Sequence, residues 1–172
     1  MIWRFHIATD DGEFIAYFSA SGLIRLDFPN DPLRKSPGPT DDRPASNDQA
    51  AWGRITAEAL RQMLACRKPA TLPPFDWAGH TTFRQDVWRA MLRIAPGQTK
   101  TYAQIAAEVG KPDATRATGT ACGANPIPVL VPCHRVVAAN SKLGGFSGGL
   151  EWKRRLLGRE GVALELEQKP TT

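Results

Sequence analysis

Cysteine is scarce and scattered. The 172 residues contain three, at Cys66, Cys122 and Cys133, with no CxxC pair. An odd number at wide spacing excludes a disulfide framework and gives no sequence-local zinc site. Free thiols point to a reducing compartment. Long apolar runs are also missing, so no segment reads as a membrane span. The first residues, MIWRFHIATDDGEF, lack the apolar block and cleavage site of a signal peptide. The expected location is the cytoplasm, or association with the nucleoid, with no membrane partner. Hydrophobic residues make up 42% and charged residues 23%, which suits a globular chain able to bury its own core.

Positive charge is present but lopsided. Residues 1–83 carry 9 Lys/Arg against 10 Asp/Glu, a net of −1. Residues 84–160 carry 12 against 5, a net of +7, and the last twelve residues carry 1 against 2. Clustered positive charge suits a polyanion, nucleic acid first. A merely solvated basic surface stays open on charge alone.

The pattern divides the chain at residues 79/80. Ile2 to Ile7 alternates, Asp10-Asp11-Gly12 reads as a hairpin turn, and Phe14–Phe18 and Leu23–Phe28 give two more strands. Asn30–Asn47 reads as a long loop, and Ala50–Ala65 has helical spacing. Residues 1–79 are therefore expected to be a small sheet-plus-helix domain, with Lys68–Gly79 as linker. Residues 80–172 are expected to be mainly helical. Thr82 with Gln85, and Thr101 with Gln104, read as capping boxes. Asp113 is expected to cap a helix from Ala114 to about Gly123. The two short helices around Gly110-Lys111-Pro112 read as helix-turn-helix. Small residues in the second (ATRATGTACGA) suit approach to DNA or plain helix packing equally. A last helix, Gly149 to about Glu160, is expected to turn Leu150, Leu156 and Leu157 inward.

The stretch VPCHRVV carries the chemistry. Val129–Val131 reads as a short buried extended segment leading to Cys133. A buried cysteine is commonly inert. Against that stand the adjacent His134 and Arg135 and the loop LGGFSGG, whose four glycines suit closure over a small ligand. Adjacent side chains diverge, so Cys133 and His134 need a bend or a bridging water to act together. Glu160 is the best acidic group to orient the imidazole, ahead of Glu151 and Glu108. The residues alone leave both a nucleophile and a structural cysteine open.

Taken together, NPIPVLVPCHRVV, FRQDVWRAMLRIAPGQTKTYAQIA, TRATGTACGANP and LGGFSGGLEWKRRLLGREG resemble the O6-alkylguanine-DNA alkyltransferases over about residues 83–161. The resemblance implies an α/β protein: a ribonuclease-H-like N-terminal domain, then a helical domain with a helix-turn-helix. It implies repair by irreversible, single-use transfer of an alkyl group from O6-alkylguanine to Cys133. His134 would take the thiol proton through a water, with Glu160 orienting it. Asn125 would hold the turn before the active-site segment, and Tyr102 would donate to the guanine leaving group. Arg116 would fill the stack vacated by the flipped base, with Ala117 beside it. Arg135, Val136, Phe146, Ser147 and Gly148 would contact substrate or DNA. The implied partner is duplex DNA bearing the lesion, with no cofactor, no metal and no obligate protein partner for a monomer. Phe146 replaces a tyrosine common in the family, and Cys122 replaces a frequent asparagine. No cysteine precedes Cys66, so the zinc site of some members is not expected. Two other readings remain: a lesion-sensing DNA-binding protein of the same fold, and a small cysteine hydrolase, which the basic second half disfavours.

Overall fold

Alternation in the first eighteen residues produces a hairpin. In the computed structural model, which describes residues 2–31, 35–139 and 142–163, β1 (Ile2–Thr9) pairs antiparallel with β2 (Gly12–Phe18). β3 (Leu23–Asp27) adds antiparallel to β2. The loop expected over 30–47 lies partly outside the described residues. Within it a two-residue strand, β4 (Thr40–Asp41), pairs parallel with β1, giving the order β3-β2-β1-β4. Two residues are too few to show period-2 alternation, so the sequence carried no signal for β4.

The inner residues of the sheet are large: Trp3, Ile7, Phe14 and Phe18 are all buried, and Trp3 stacks on Phe18 with centroids 4.9 Å apart. Helix α1 (Asn47–Leu64) starts at Ser46, whose hydroxyl accepts from Gln49 N. It approaches the sheet through Gly53. A Cβ there would lie 2.7 Å from Trp3 Cη2 and 3.1 Å from Phe5 Cγ. Gly53→Ala is therefore expected to destabilise by about 1–3 kcal/mol through overpacking, although alanine favours helix. Urea unfolding measures it; an unchanged or higher midpoint contradicts this packing.

Two compact units divide the chain. The first comprises residues 1–80 and 126–130; the second comprises 81–125 and 131–172. The sequence pattern places 126–130 with the second half. In the structure Leu26 N donates to Pro126 O at 2.9 Å, which ties this segment to β3.

In the second unit, α2 (Thr82–Met91) is capped by Thr81, which accepts from Arg84 N; the expected box at Thr82/Gln85 is one residue out of phase. Trp88 is fully buried and donates Nε1–H to Ala121 O at 2.8 Å. This joins α2 to α4 (Thr115–Gly123). α3 (Tyr102–Glu108) does carry the Thr101/Gln104 box, with Gln104 Oε1 accepting from Thr101 N at 2.7 Å. The N-cap of α4 is Ala114 with no side-chain cap bond, so Asp113 does not cap it. α5 (Leu150–Arg159) buries Lys153, Leu156 and Leu157, while Leu150 is 41% exposed. Leu150 shares a face with Leu157 but is the first residue of the helix. No helix among the described residues is long and apolar enough to cross a membrane.

Candidate active site

The approach to Cys133 is a turn, not the extended segment its composition suggested. Val129 has φ 71°, in the left-handed region that β-branched residues avoid. The reason lies at the ends of the turn. Asn125 Nδ2 donates to Val131 O at 2.8 Å, so the chain must come back on itself within six residues. Pro126 and Pro128 lack the N–H groups that a ladder would need. Cys133–Arg135 then form one turn of 3₁₀ helix, and β6 (Val136–Val137) pairs parallel with β5 (Lys100–Thr101).

Every side chain on that 3₁₀ turn is buried: Cys133 is 3% exposed, His134 1% and Arg135 2%. In a 3₁₀ turn neighbours point about 120° apart, so Cys133 and His134 face different ways. His134 Nε2 lies 3.0 Å from Glu160 Oε1, and its Nδ1 has no hydrogen-bond partner among the described residues. Glu160, the C-cap of α5, has a side chain only 2% exposed. Gly97 N donates to its Oε2 at 3.1 Å. Of the other acids, Glu108 pairs with Arg93 and Lys100, and Glu151 is exposed.

The Arg135 side chain is buried against Glu160 and Ile94. Its Nε donates to both Glu160 oxygens at 3.1 Å, Nη2 to Oε1 at 2.8 Å, and Nη1 to Ile94 O at 2.7 Å. The guanidinium fork matches the carboxylate, and burial removes competing water.

Burial pushes the Cys133 thiol up to about 11, opposed by a hydrogen bond with Asn125 and by the charge of Lys153. Burial likewise pushes Cys122 up to about 12, with Cys133 adding to the shift. Burial lowers His134, against the pull of Glu160, so the imidazole is neutral at rest. For Glu160 burial acts upward, but hydrogen bonds from His134 and Arg135 outweigh it and hold the carboxyl down to about 2. Tyr102 is raised, chiefly by burial, so its phenol remains a donor at neutral pH.

Tyr102, the first residue of α3, is half-buried against Gly144. At Gly144 φ is +65°, and a Cβ would stand 2.5 Å from the Tyr102 hydroxyl. Glycine is thus required twice over there. Phe146, Ser147 and Gly148 follow on the loop before α5; Ser147 is exposed, and Phe146 O accepts from Gly149 N at 3.1 Å. Arg116 and Ala117 are exposed on the first turn of α4. Val136 is buried, and its carbonyl is taken by a residue the sequence reading missed, Lys153. Lys153 is 0% exposed and donates Nζ–H to Val136 O at 2.7 Å and to Gly145 O at 3.1 Å. Burial lowers its pKa to about 8, while the two thiols pull it upward. The available signal was its spacing: Lys153 precedes Leu156 and Leu157 by three and four residues, on the buried face.

Fold and site together define a mixed α/β protein with a buried cysteine next to an imidazole–carboxylate pair. A family model described as the DNA binding domain of 6-O-methylguanine DNA methyltransferase matches residues 82–162. The methylated-DNA–protein-cysteine methyltransferase of Salmonella typhimurium is 49% identical over 86 residues, half of this chain and half of that protein. An inducible protein of the same name from Bacillus subtilis is 44% identical over 104 residues, 60% of this chain and 58% of its own. This chain thus matches little more than half the length of these curated relatives. The OGT of Mycobacterium tuberculosis, solved in complex with DNA, superposes with a TM-score of 0.75 at 33% identity over 92% of both chains. The chain belongs to the O6-methylguanine-DNA methyltransferase family.

Proposed function

We propose that this protein repairs O6-alkylguanine in DNA by accepting the alkyl group on Cys133. The observation that carries the reading is the arrangement behind the thiol. Cys133 is protonated at rest, so it needs a base, and His134 is a neutral imidazole oriented by an ionised carboxylate. Nδ1 has no hydrogen-bond partner among the described residues, so it can take a proton through a water. In the step, sulfur bonds to the alkyl carbon and the carbon–O6 bond breaks. The thiol proton passes through that water to His134, and Tyr102 supplies a proton to the departing guanine. The product thioether is a poor leaving group, so each molecule acts once. No cofactor is needed, because donor and acceptor are both present.

DNA is the proposed partner. The α3–turn–α4 pair reads as a helix-turn-helix with Arg116 and Ala117 outward, and residues 84–160 carry the +7 that suits phosphate contacts. The β1–β3 meander with α1 against it supports a ribonuclease-H-like first unit. A cytoplasmic or nucleoid location follows from such a substrate. The test is mass spectrometry after incubation with O6-benzylguanine or an O6-methylguanine duplex. One alkyl group should add at Cys133, and Cys133→Ser should add none. DNA binding with no mass gain would instead favour a lesion-sensing protein. Labelling at Cys66 or Cys122 would sink the assignment.

A further inference from the structure

Glu160 accepts from three residues at once. His134 approaches Oε1 at 3.0 Å, Arg135 reaches both oxygens at 2.8–3.1 Å, and the Gly97 N–H reaches Oε2 at 3.1 Å. The Arg135 guanidinium is held from behind by Ile94 O at 2.7 Å and has a side chain 3% exposed. Gly97 has φ +78° at the turn after α2, and a Cβ there would lie 3.3 Å from Glu160 O. The carboxylate is therefore built in from α5, from the 94–97 turn and from the active-site turn itself.

A carboxyl that took up a proton here would present an O–H to donors that need acceptors. It would also remove the carboxylate charge that is paired with the buried Arg135 guanidinium. We infer that Arg135 is a positioning residue for the transfer step: by fixing Glu160 as a permanent carboxylate, it confines the abstracted proton to His134. The inference rests on the alkyl-transfer reading and adds to it a division of labour. Glu160 orients and never relays, and Arg135 also biases the imidazole through its charge. The charged groups facing His134 are Glu160, Arg135 and Lys153; the first favours imidazolium, and the two cations oppose it.

Taking the Arg135 charge away should make imidazolium easier to form. His134 would then stop serving as a base at a higher pH. Single-turnover rates with O6-benzylguanine across about pH 5 to 9 read this directly. Arg135→Gln keeps donors for Glu160 and removes the cation. Its acid limb should move up by about one unit, so its deficit against wild type grows about tenfold from the alkaline to the acid end. Arg135→Lys keeps the cation, and its limb should stay at the wild-type pH. A purely structural Arg135 would lower the rate at every pH without moving the limb, and that result overturns the inference. Should Arg135→Gln fail to fold, carbon NMR of the Glu160 carboxyl in the unaltered protein decides instead. Its shift should stay flat from about pH 8 to about pH 4. Titration of Glu160 within that range overturns the inference. Failure of the unaltered protein to gain alkyl mass would sink the repair reading, while the NMR result would still judge the fixed carboxylate.

Discussion

His134→Gln is expected to slow alkyl transfer at neutral pH by about 10²–10⁴-fold, the usual worth of a positioned general base. The argument starts from the thiol. With Cys133 at about 11, only about one molecule in 10⁴ carries a thiolate at pH 7 unless a base removes the proton during reaction. In the variant, reactivity should depend on that pre-formed thiolate. Its rate should climb about tenfold per pH unit between about pH 7 and 9.5, while the wild-type rate changes far less over the same range. The fold should survive, because Glu160 keeps Arg135 and the Gly97 N–H as partners. Stopped-flow or quenched single-turnover assays give both numbers. A variant as fast as wild type at pH 7, or one whose slow rate ignores pH, would remove His134 from the mechanism.

Local signals in the sequence were easier to read than those depending on a partner across the chain. The Thr101/Gln104 box is visible because cap and N3 residue are three apart, and the hairpin at Asp10–Gly12 because its strands are neighbours. At Thr81-Thr82 two equivalent threonines stand together, and only the helix geometry picks the first. Val129 sits in a run that looks like a strand; its left-handed backbone follows from the Asn125–Val131 bond, which no periodicity encodes. Lysine is seldom fully buried, so the sequence pattern alone does not mark Lys153. Its stem continues the apolar stripe of Leu156 and Leu157, and its ammonium finds two carbonyls instead of water. The same stripe predicts Leu150 inward, but at the helix start it stands exposed.

Arg135 shows the limit most clearly. The family resemblance implies a contact with substrate or DNA at this residue. Its side chain turns to Glu160 and Ile94, and that direction depends on the 3₁₀ turn and on where α5 ends. Glu160 was legible as the last acid of a predicted helix. Its being shared between His134 and Arg135 was not, because that requires the 94–97 turn and α5 to meet at one carboxylate.

Glu160→Ala should accordingly be among the most damaging substitutions in the second unit, costing about 3–5 kcal/mol. It takes the carboxylate from a buried guanidinium, and it removes the acceptor of His134 Nε2 and of the Gly97 N–H. Against a total of about 5–15 kcal/mol for a typical domain, urea unfolding should show a much lower midpoint. The wild-type protein should show the same interaction as a pH dependence. The Glu160 carboxyl is lowered from 4.5 to about 2, so its stabilisation is complete above pH 4.5 and is lost as pH falls towards 2. That difference corresponds to about 3 kcal/mol. His134, lowered from 6.5, acts in the same direction: its stabilisation as a neutral ring is present above pH 6.5 and erodes as pH falls below it. Wild type should therefore lose stability in two stages, one beginning near pH 6.5 and a second below 4.5. The alanine variant should start lower and lack most of the second stage. Equal acid sensitivity in both proteins would mean that Glu160 is not the group whose protonation unfolds this site.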